Sequence, residues 1–170
     1  MIETIWDRDI TADVKNQNLI GLSAFVQQVL ARSQATCSTL HAALYYLILI
    51  QTCIPKGYST LEQLCMKCGR RMFLAALIIA FKYLHDSSFS ASSWSKISGL
   101  RICEINASER AFLAAANWKL HIPKPVFRRW TDIVLEHSTS PRWRSIIPHL
   151  TPDLSSDETC RALKCPRSNE

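Results

Sequence analysis

Hydrophobic residues recur along this chain with the spacing of amphipathic helices. Between Leu19 and Arg32 the apolar positions lie three or four residues apart, at Leu22, Phe25, Val26, Val29 and Leu30. Further helical patterns cover 37–53, 106–118 and 123–137. No segment alternates apolar and polar residues in the way that a half-buried strand requires. The pattern therefore predicts an all-α fold.

One predicted helix is apolar on nearly every face. It runs from Gly69 to about His85, and Lys82 is the one charged residue beyond its first turn. A helix of this kind belongs in the middle of a fold, and a buried ammonium needs a partner. We expect Lys82 to be half buried and held by a carboxylate, with donors left for a binding partner. The alternative is that its long side chain reaches solvent.

The best carboxylate for Lys82 is Glu109. Asn106 has the chemistry of a helix N-cap and Glu109 follows three residues later, which is the spacing of a capping box. We therefore expect a helix that begins at Asn106 and carries Glu109 in its first turn. A plain capping role for Glu109 is the alternative, and both roles could coexist.

Breaks in the pattern divide the chain. Pro55 and Gly57 end the second helix, and Ser59 with Glu62 has capping-box spacing for a further helical turn. Residues 86–93 form a polar connector, followed by a short helical turn at 94–98. We expect a lead-in at 1–18, one helical domain at 19–137, and a tail at 138–170 that contains Ser, Pro and Arg and is partly disordered.

Composition limits the class of protein. The 170 residues are 48% hydrophobic and 20% charged, as in globular domains. The longest apolar runs fall far short of the ~20 residues of a membrane span. The N-terminus lacks the basic and apolar regions of a secretory signal. We therefore expect an intracellular protein, in the nucleus or the cytoplasm, that makes no membrane contact and keeps its seven cysteines reduced.

No catalytic or metal-binding signature stands out. The sequence has no Gly-rich phosphate loop, paired-His zinc motif or nucleophile elbow. Cys65 and Cys68 have metal-ligand spacing, but no second pair completes a zinc site. Basic residues occur as scattered pairs despite a net charge of +6, so we expect no direct nucleic-acid binding. We predict a non-catalytic protein without cofactor, metal or small-molecule substrate.

The stretch RRMFLAALIIAFKYLHDSSFS, followed by WSKISGL and EINASERAFLAAANWKLHIP, resembles the cyclin box. The resemblance covers about 19–137, is most specific at 70–123, and is closest to fungal Pcl-type cyclins of the Pho-pathway kind. It implies an all-α, five-helix cyclin box around the apolar helix. An extra N-terminal helical segment would precede this box, and an irregular C-terminal tail would follow it.

The resemblance also implies a function and a partner. In that family a Lys that ends the central helix and a Glu that opens the fifth bind the kinase, and they match Lys82 and Glu109. Asp86 matches an acidic position suited to an Arg near the kinase activation segment, and Phe89 and Trp94 are expected as apolar anchors. The chain would then be a regulatory subunit that activates a cyclin-dependent kinase and directs it to substrates.

Two alternatives stay open. The chain could be a cyclin-fold scaffold that has lost kinase binding, or a transcription-related helical binding module.

The sequence also departs from the pattern of many cyclins. Ala24 and Leu47 stand where many cyclins carry a buried Arg–Asp pair, and the first helix lacks the Trp-containing substrate-docking motif of cell-cycle cyclins. The residues after His137 are too few for a second box, so we expect a single-box cyclin or a shortened product.

Overall fold

The computed structural model describes residues 21–51, 66 and 68–137. All six secondary-structure elements in these ranges are helices, so the all-α prediction is confirmed for the described part. The elements are α1 (Leu22–Ser33), α2 (Cys37–Gln51), α3 (Gly69–Leu84), α4 (Ala91–Ser98), α5 (Ile102–Ala115) and α6 (Lys124–His137). The lead-in, the Ser59–Glu62 turn, Cys65 and the tail lie outside the described residues.

Helix α3 is the centre of the fold, as its apolar sequence predicts. Every residue from Met72 to Phe81 is buried. Helices α1, α2 and α5 all pack against it, while α4 packs on α1 and α5 and α6 packs on α2. Burial ends abruptly at Lys82, since the last three residues of the helix are exposed. The C-terminal end of α3 therefore emerges from the core at the protein surface.

Polar caps fix where the helices begin. The Thr36 hydroxyl accepts from the Thr39 N–H at 3.2 Å at the start of α2. The Ser90 hydroxyl does the same for the Ser93 N–H, also at 3.2 Å, at the start of α4. These bonds satisfy backbone donors that the first turn of a helix leaves unpaired. Helix α4 consequently starts at Ala91, three residues earlier than the pattern predicts.

The start of α5 also differs from the prediction. The helix begins at Ile102, and the Arg101 N–H donates to Glu104 Oε2 at 3.2 Å. Asn106 is an exposed residue inside the helix and does not cap it. Our expectation of a helix start at Asn106 is wrong because Glu104 supplies the capping carboxylate one turn earlier. Glu109 therefore lies about two turns into α5.

Two buried polar bonds attach the last part of the described chain to α2. The Tyr46 hydroxyl donates to the Leu120 carbonyl at 2.9 Å, and the Trp130 indole donates to the His41 carbonyl at 2.7 Å. Tyr46 and Trp130 are 1% and 2% exposed. These bonds hold the connection between α5 and α6 against the body of the fold, which matters for the surface described next.

Candidate functional site

Lys82 and Glu109 form an ion pair at the exposed end of α3. Lys82 Nζ donates to Glu109 Oε1. The Lys82 side chain is 48% exposed, whereas that of Glu109 is 15% exposed. The structure thus brings together the two residues that the sequence singles out. Because half of the Lys82 side chain meets solvent, its remaining N–H groups can reach a binding partner.

A second ion pair joins the same two helices near their starts. Arg71 Nη2 donates to Glu104 Oε1 at 2.7 Å. Burial of Glu104 acts to raise its pKa, but hydrogen bonds from Arg71 and Arg101 and the Arg71 charge outweigh burial and hold the pKa below its usual range. Glu104 is therefore charged, and it both caps α5 and links α5 to α3 through an ion pair. Sequence reasoning did not identify it.

Large apolar side chains at the end of α3 and just past the end of α5 are left uncovered. Tyr83 and Leu84 follow Lys82 on α3 and are 46% and 44% exposed. Trp118, just past the end of α5, is 69% exposed. The Tyr83 hydroxyl lies 3.3 Å from His121 Nδ1, which brings the end of α3 next to the connection that carries Trp118. We call Lys82, Glu109, Tyr83, Leu84 and Trp118 the α3–α5 surface.

Trp118 takes an unusual backbone conformation. Its φ is 59° and that of Asn117 is 49°, both in the left-handed region that bulky side chains rarely adopt. The Trp118 N–H donates to the Leu113 carbonyl at 3.0 Å, which holds this turn closed. Strain combined with an exposed indole is typical of a functional position. The sequence pattern predicts Trp118 as the last residue of α5, whereas the helix ends at Ala115.

Two of the other predicted site residues, Asp86 and Phe89, lie at the surface. Asp86 is exposed, two residues beyond the end of α3. Phe89 is 40% exposed and packs its ring against those of Phe81 and Trp94, with centroids 5.9 Å and 5.4 Å apart. Both side chains are accessible to a partner.

Trp94 does not fit the expectation of a surface anchor. It is 1% exposed, and its ring packs edge-on against Phe81 at 5.3 Å. Its indole is enclosed by the helices that meet at α4, so it cannot contact a partner without opening the core. We correct its role to that of a support, because it backs the exposed Phe89 ring from within the fold.

Within the described ranges, no group of three or more His, Cys, Asp or Glu side chains could hold a metal ion. No helix among these residues is both long and apolar enough to span a membrane.

A comparison with protein-family models decides the family. The model described as Cyclin matches residues 11–120, which is more than half of the chain. The chain belongs to the cyclin family. The matched region includes both members of the Lys82–Glu109 pair and all of α1 to α5, so the five-helix cyclin box accounts for the helices that surround α3.

Individual cyclins are also similar to this one. The G1/S-specific cyclin pas1 of Schizosaccharomyces pombe is 34% identical over 82% of this chain and 34% of its own length. PHO85 cyclin-5 of Saccharomyces cerevisiae is 33% identical over 68% of this chain and 50% of its own. PHO85 cyclin-9 of the same yeast is 36% identical over 61% of this chain and 34% of its own.

This cyclin thus spans between a third and a half of the length of these curated relatives. No solved structure gives a significant match. The fungal relatives, two of them named PHO85 cyclins, agree with the Pcl-type resemblance found in the sequence.

Proposed function

We propose that this cyclin is a non-catalytic regulatory subunit that binds and activates a cyclin-dependent kinase and helps to direct it to substrates. The observation that carries the proposal is the Lys82–Glu109 ion pair, exposed at the end of the buried central helix. Family membership supports the same function, since the matched region contains this pair.

The α3–α5 surface has the chemistry for gripping a protein backbone. A lysine ammonium has three donors, and a carboxylate accepts at both oxygens. One donor of Lys82 and Oε1 of Glu109 are used on each other. The remaining donors suit main-chain carbonyls of a partner, and Glu109 Oε2 suits a main-chain N–H. Each residue therefore orients the other while it binds the kinase.

The apolar members of the surface supply contact area. Exposed aromatic side chains such as Tyr83 and Trp118 are the residue types that most often dominate binding energy at protein interfaces. Phe89 adds a third aromatic ring on the connector, backed by the buried Trp94. We propose that an amphipathic helix of the kinase packs here, with its apolar face on these rings.

In this proposal, activation of the kinase depends on where the cyclin holds the kinase helix. Active protein kinases pair a Glu of a movable helix with the Lys that contacts ATP phosphates. A cyclin that docks the helix favours the paired arrangement, because it binds the active conformation better than the inactive one. Asp86, exposed beside the connector, is suited to an Arg near the kinase activation segment. The cyclin itself performs no chemistry in this mechanism.

The partner we propose is a cyclin-dependent kinase of the kind for which PHO85 cyclins are named. The kinase-binding unit is residues 19–137, with 1–18 as a lead-in and 138–170 as a tail. Because such kinases act inside the cell, we place the protein in the nucleus or the cytoplasm. No cofactor, small molecule or membrane takes part in the proposed function.

Affinity purification from the protein's own cells tests this function. Tagged wild-type protein is expected to co-purify with a cyclin-dependent kinase, and the purified complex should phosphorylate a protein substrate. A Lys82→Ala/Glu109→Ala double variant should lose the kinase, whereas Lys96→Ala, an exposed lysine on α4, should retain it. Purification of the wild type with no kinase bound would instead favour a scaffold that has lost kinase binding.

A further inference from the structure

The positive charge of this chain is concentrated in one segment. Residues from Arg110 to Thr131 contain five of the 20 Lys and Arg residues and none of the 14 Asp and Glu residues. This segment therefore contributes +5 of the formal net charge of +6. The scattered basic pairs elsewhere in the sequence are balanced by carboxylates, but those of this segment are not balanced within it.

Four of these cations lie close together in the sequence, between Lys119 and Arg129. Lys119 lies in the connection after α5, and Lys124, Arg128 and Arg129 lie in the first half of α6. All four are exposed. The ion pairs Arg71–Glu104, Arg101–Glu104 and Lys82–Glu109 use none of them. We call these four residues the basic corner.

The arrangement of charge along α6 reinforces this field. The N-terminal end of a helix carries partial positive charge, and it favours nearby anions over cations. Helix α6 nevertheless begins with Lys124 and carries Arg128 and Arg129 in its second turn, while Asp132 and Glu136 follow nearer its C-terminus. The order is opposite to the one that stabilises a helix. A bound anion at the first two turns would offset this unfavourable interaction between the cations and the helix dipole.

We propose that the basic corner docks a short acidic segment of a partner protein. Its exposed cations offer charge complementarity to carboxylate side chains, which speeds and orients association at protein surfaces. Lys124 and Arg128 are one helical turn apart, about 6 Å along the axis, which suits neighbouring carboxylates of one extended peptide. The inference goes beyond the proposed kinase binding and does not require it.

The distribution of charge along α6 favours an acidic peptide over a nucleic acid as the ligand. Exposed Asp132 lies on the second half of α6 and would repel a polyanion that continued along the helix. A nucleic acid gains affinity by neutralising phosphates at many successive contacts. A short acidic segment ends before it reaches this carboxylate.

Fluorescence anisotropy with the complete chain tests the docking site. The probe is a labelled peptide of about six Glu separated by Ser, with a Gln-for-Glu peptide as its control. We expect the Glu peptide to bind, the Gln peptide not to bind, and affinity to fall as salt rises from about 0.05 M to about 0.3 M. Lys124→Gln/Arg128→Gln should weaken binding about tenfold or more.

A matched variant separates local charge from net charge. Arg32→Gln/Lys96→Gln removes the same charge from α1 and α4 and should leave affinity within about twofold of wild type. Lys82→Ala should also bind normally, so this assay can succeed whether or not the kinase proposal does. Equal losses in the two double variants, binding of the Gln peptide, or tighter binding of a single-stranded oligonucleotide of equal charge would each overturn the proposal. Far-ultraviolet circular dichroism verifies that all variants are folded.

Discussion

The Lys82 ammonium donates to Glu109 across the contact between α3 and α5, and the acceptor is the more buried of the two. The side chain of Glu109 is 15% exposed against 48% for Lys82. Removal of Lys82 and removal of Glu109 therefore have different consequences. Without Glu109, Lys82 can extend into water, but without Lys82 the Glu109 carboxylate stays partly desolvated with no cation beside it.

We predict that Lys82→Met destabilises the free protein more than Glu109→Gln does. The loss for Lys82→Met should stay within about 1 kcal/mol, because a pair with one half-exposed member contributes little to folding. Urea unfolding of both variants measures the difference, with Lys96→Met as the exposed-lysine control. A larger loss for Glu109→Gln would contradict the asymmetry.

The central position of α3 makes Leu77 a sensitive site. Its side chain is 0% exposed in the middle of the helix. Leu77→Ala should lower the free energy of unfolding by about 2–5 kcal/mol, since truncation removes buried apolar contacts and leaves a cavity. Leu84→Ala, at the 44% exposed end of the same helix, is the control and should change stability little. Coincident thermal melts for Leu77→Ala and Leu84→Ala would show that α3 is not the core helix.

Tyr46 tests the attachment of the α5–α6 connection. Burial, with smaller effects from Tyr83 and Tyr45, raises its pKa, so the hydroxyl stays protonated and able to donate. Tyr46→Phe should lower stability by about 1–2 kcal/mol, because the Leu120 carbonyl then loses its donor. Tyr83→Phe, whose hydroxyl lies at the surface, should be nearly neutral in the same denaturant assay.

Glu104 makes stability depend on acidity. Despite its burial, hydrogen bonds from Arg71 and Arg101 lower the pKa of Glu104 in the folded protein, so its charged form stabilises the fold fully above the pKa of Glu in the unfolded chain. The contribution is lost as the pH falls through the folded pKa. Glu104→Gln should therefore destabilise the protein at about pH 6 and by less at about pH 3.5. Asp132→Asn, which changes an exposed carboxylate on α6, is the control, and a Glu104→Gln loss that grew on acidification would contradict this prediction.

The sequence predicts the central helix well because its signal is simple. A run of apolar residues on every face requires burial, and Lys82 ends that run. The partnership with Glu109 is also predictable, since few carboxylates are available on the neighbouring helix. By contrast, Glu104 both caps the start of α5 and pairs with Arg71 of α3, a tertiary contact that local capping rules do not consider.

The exposure of aromatic residues is harder to predict from the pattern. Trp94 and Trp118 both occur near the ends of predicted helices, yet one is 1% and the other 69% exposed. The difference depends on how α4 packs against α5 and on the left-handed turn at Asn117 and Trp118. Neither property follows from spacing along the chain. The structure therefore supplied Trp118 and removed Trp94 as a candidate anchor.

Direct titration of the kinase is the measurement closest to the central claim. Isothermal titration calorimetry should compare wild type, Lys82→Ala, Glu109→Ala and the control Lys96→Ala against a purified cyclin-dependent kinase from the same cells. We predict that each of the first two variants loses about 2–5 kcal/mol of binding free energy, because a desolvated charge at the interface loses its partner, while the control binds like wild type. Wild-type affinity in both Lys82→Ala and Glu109→Ala would contradict the account.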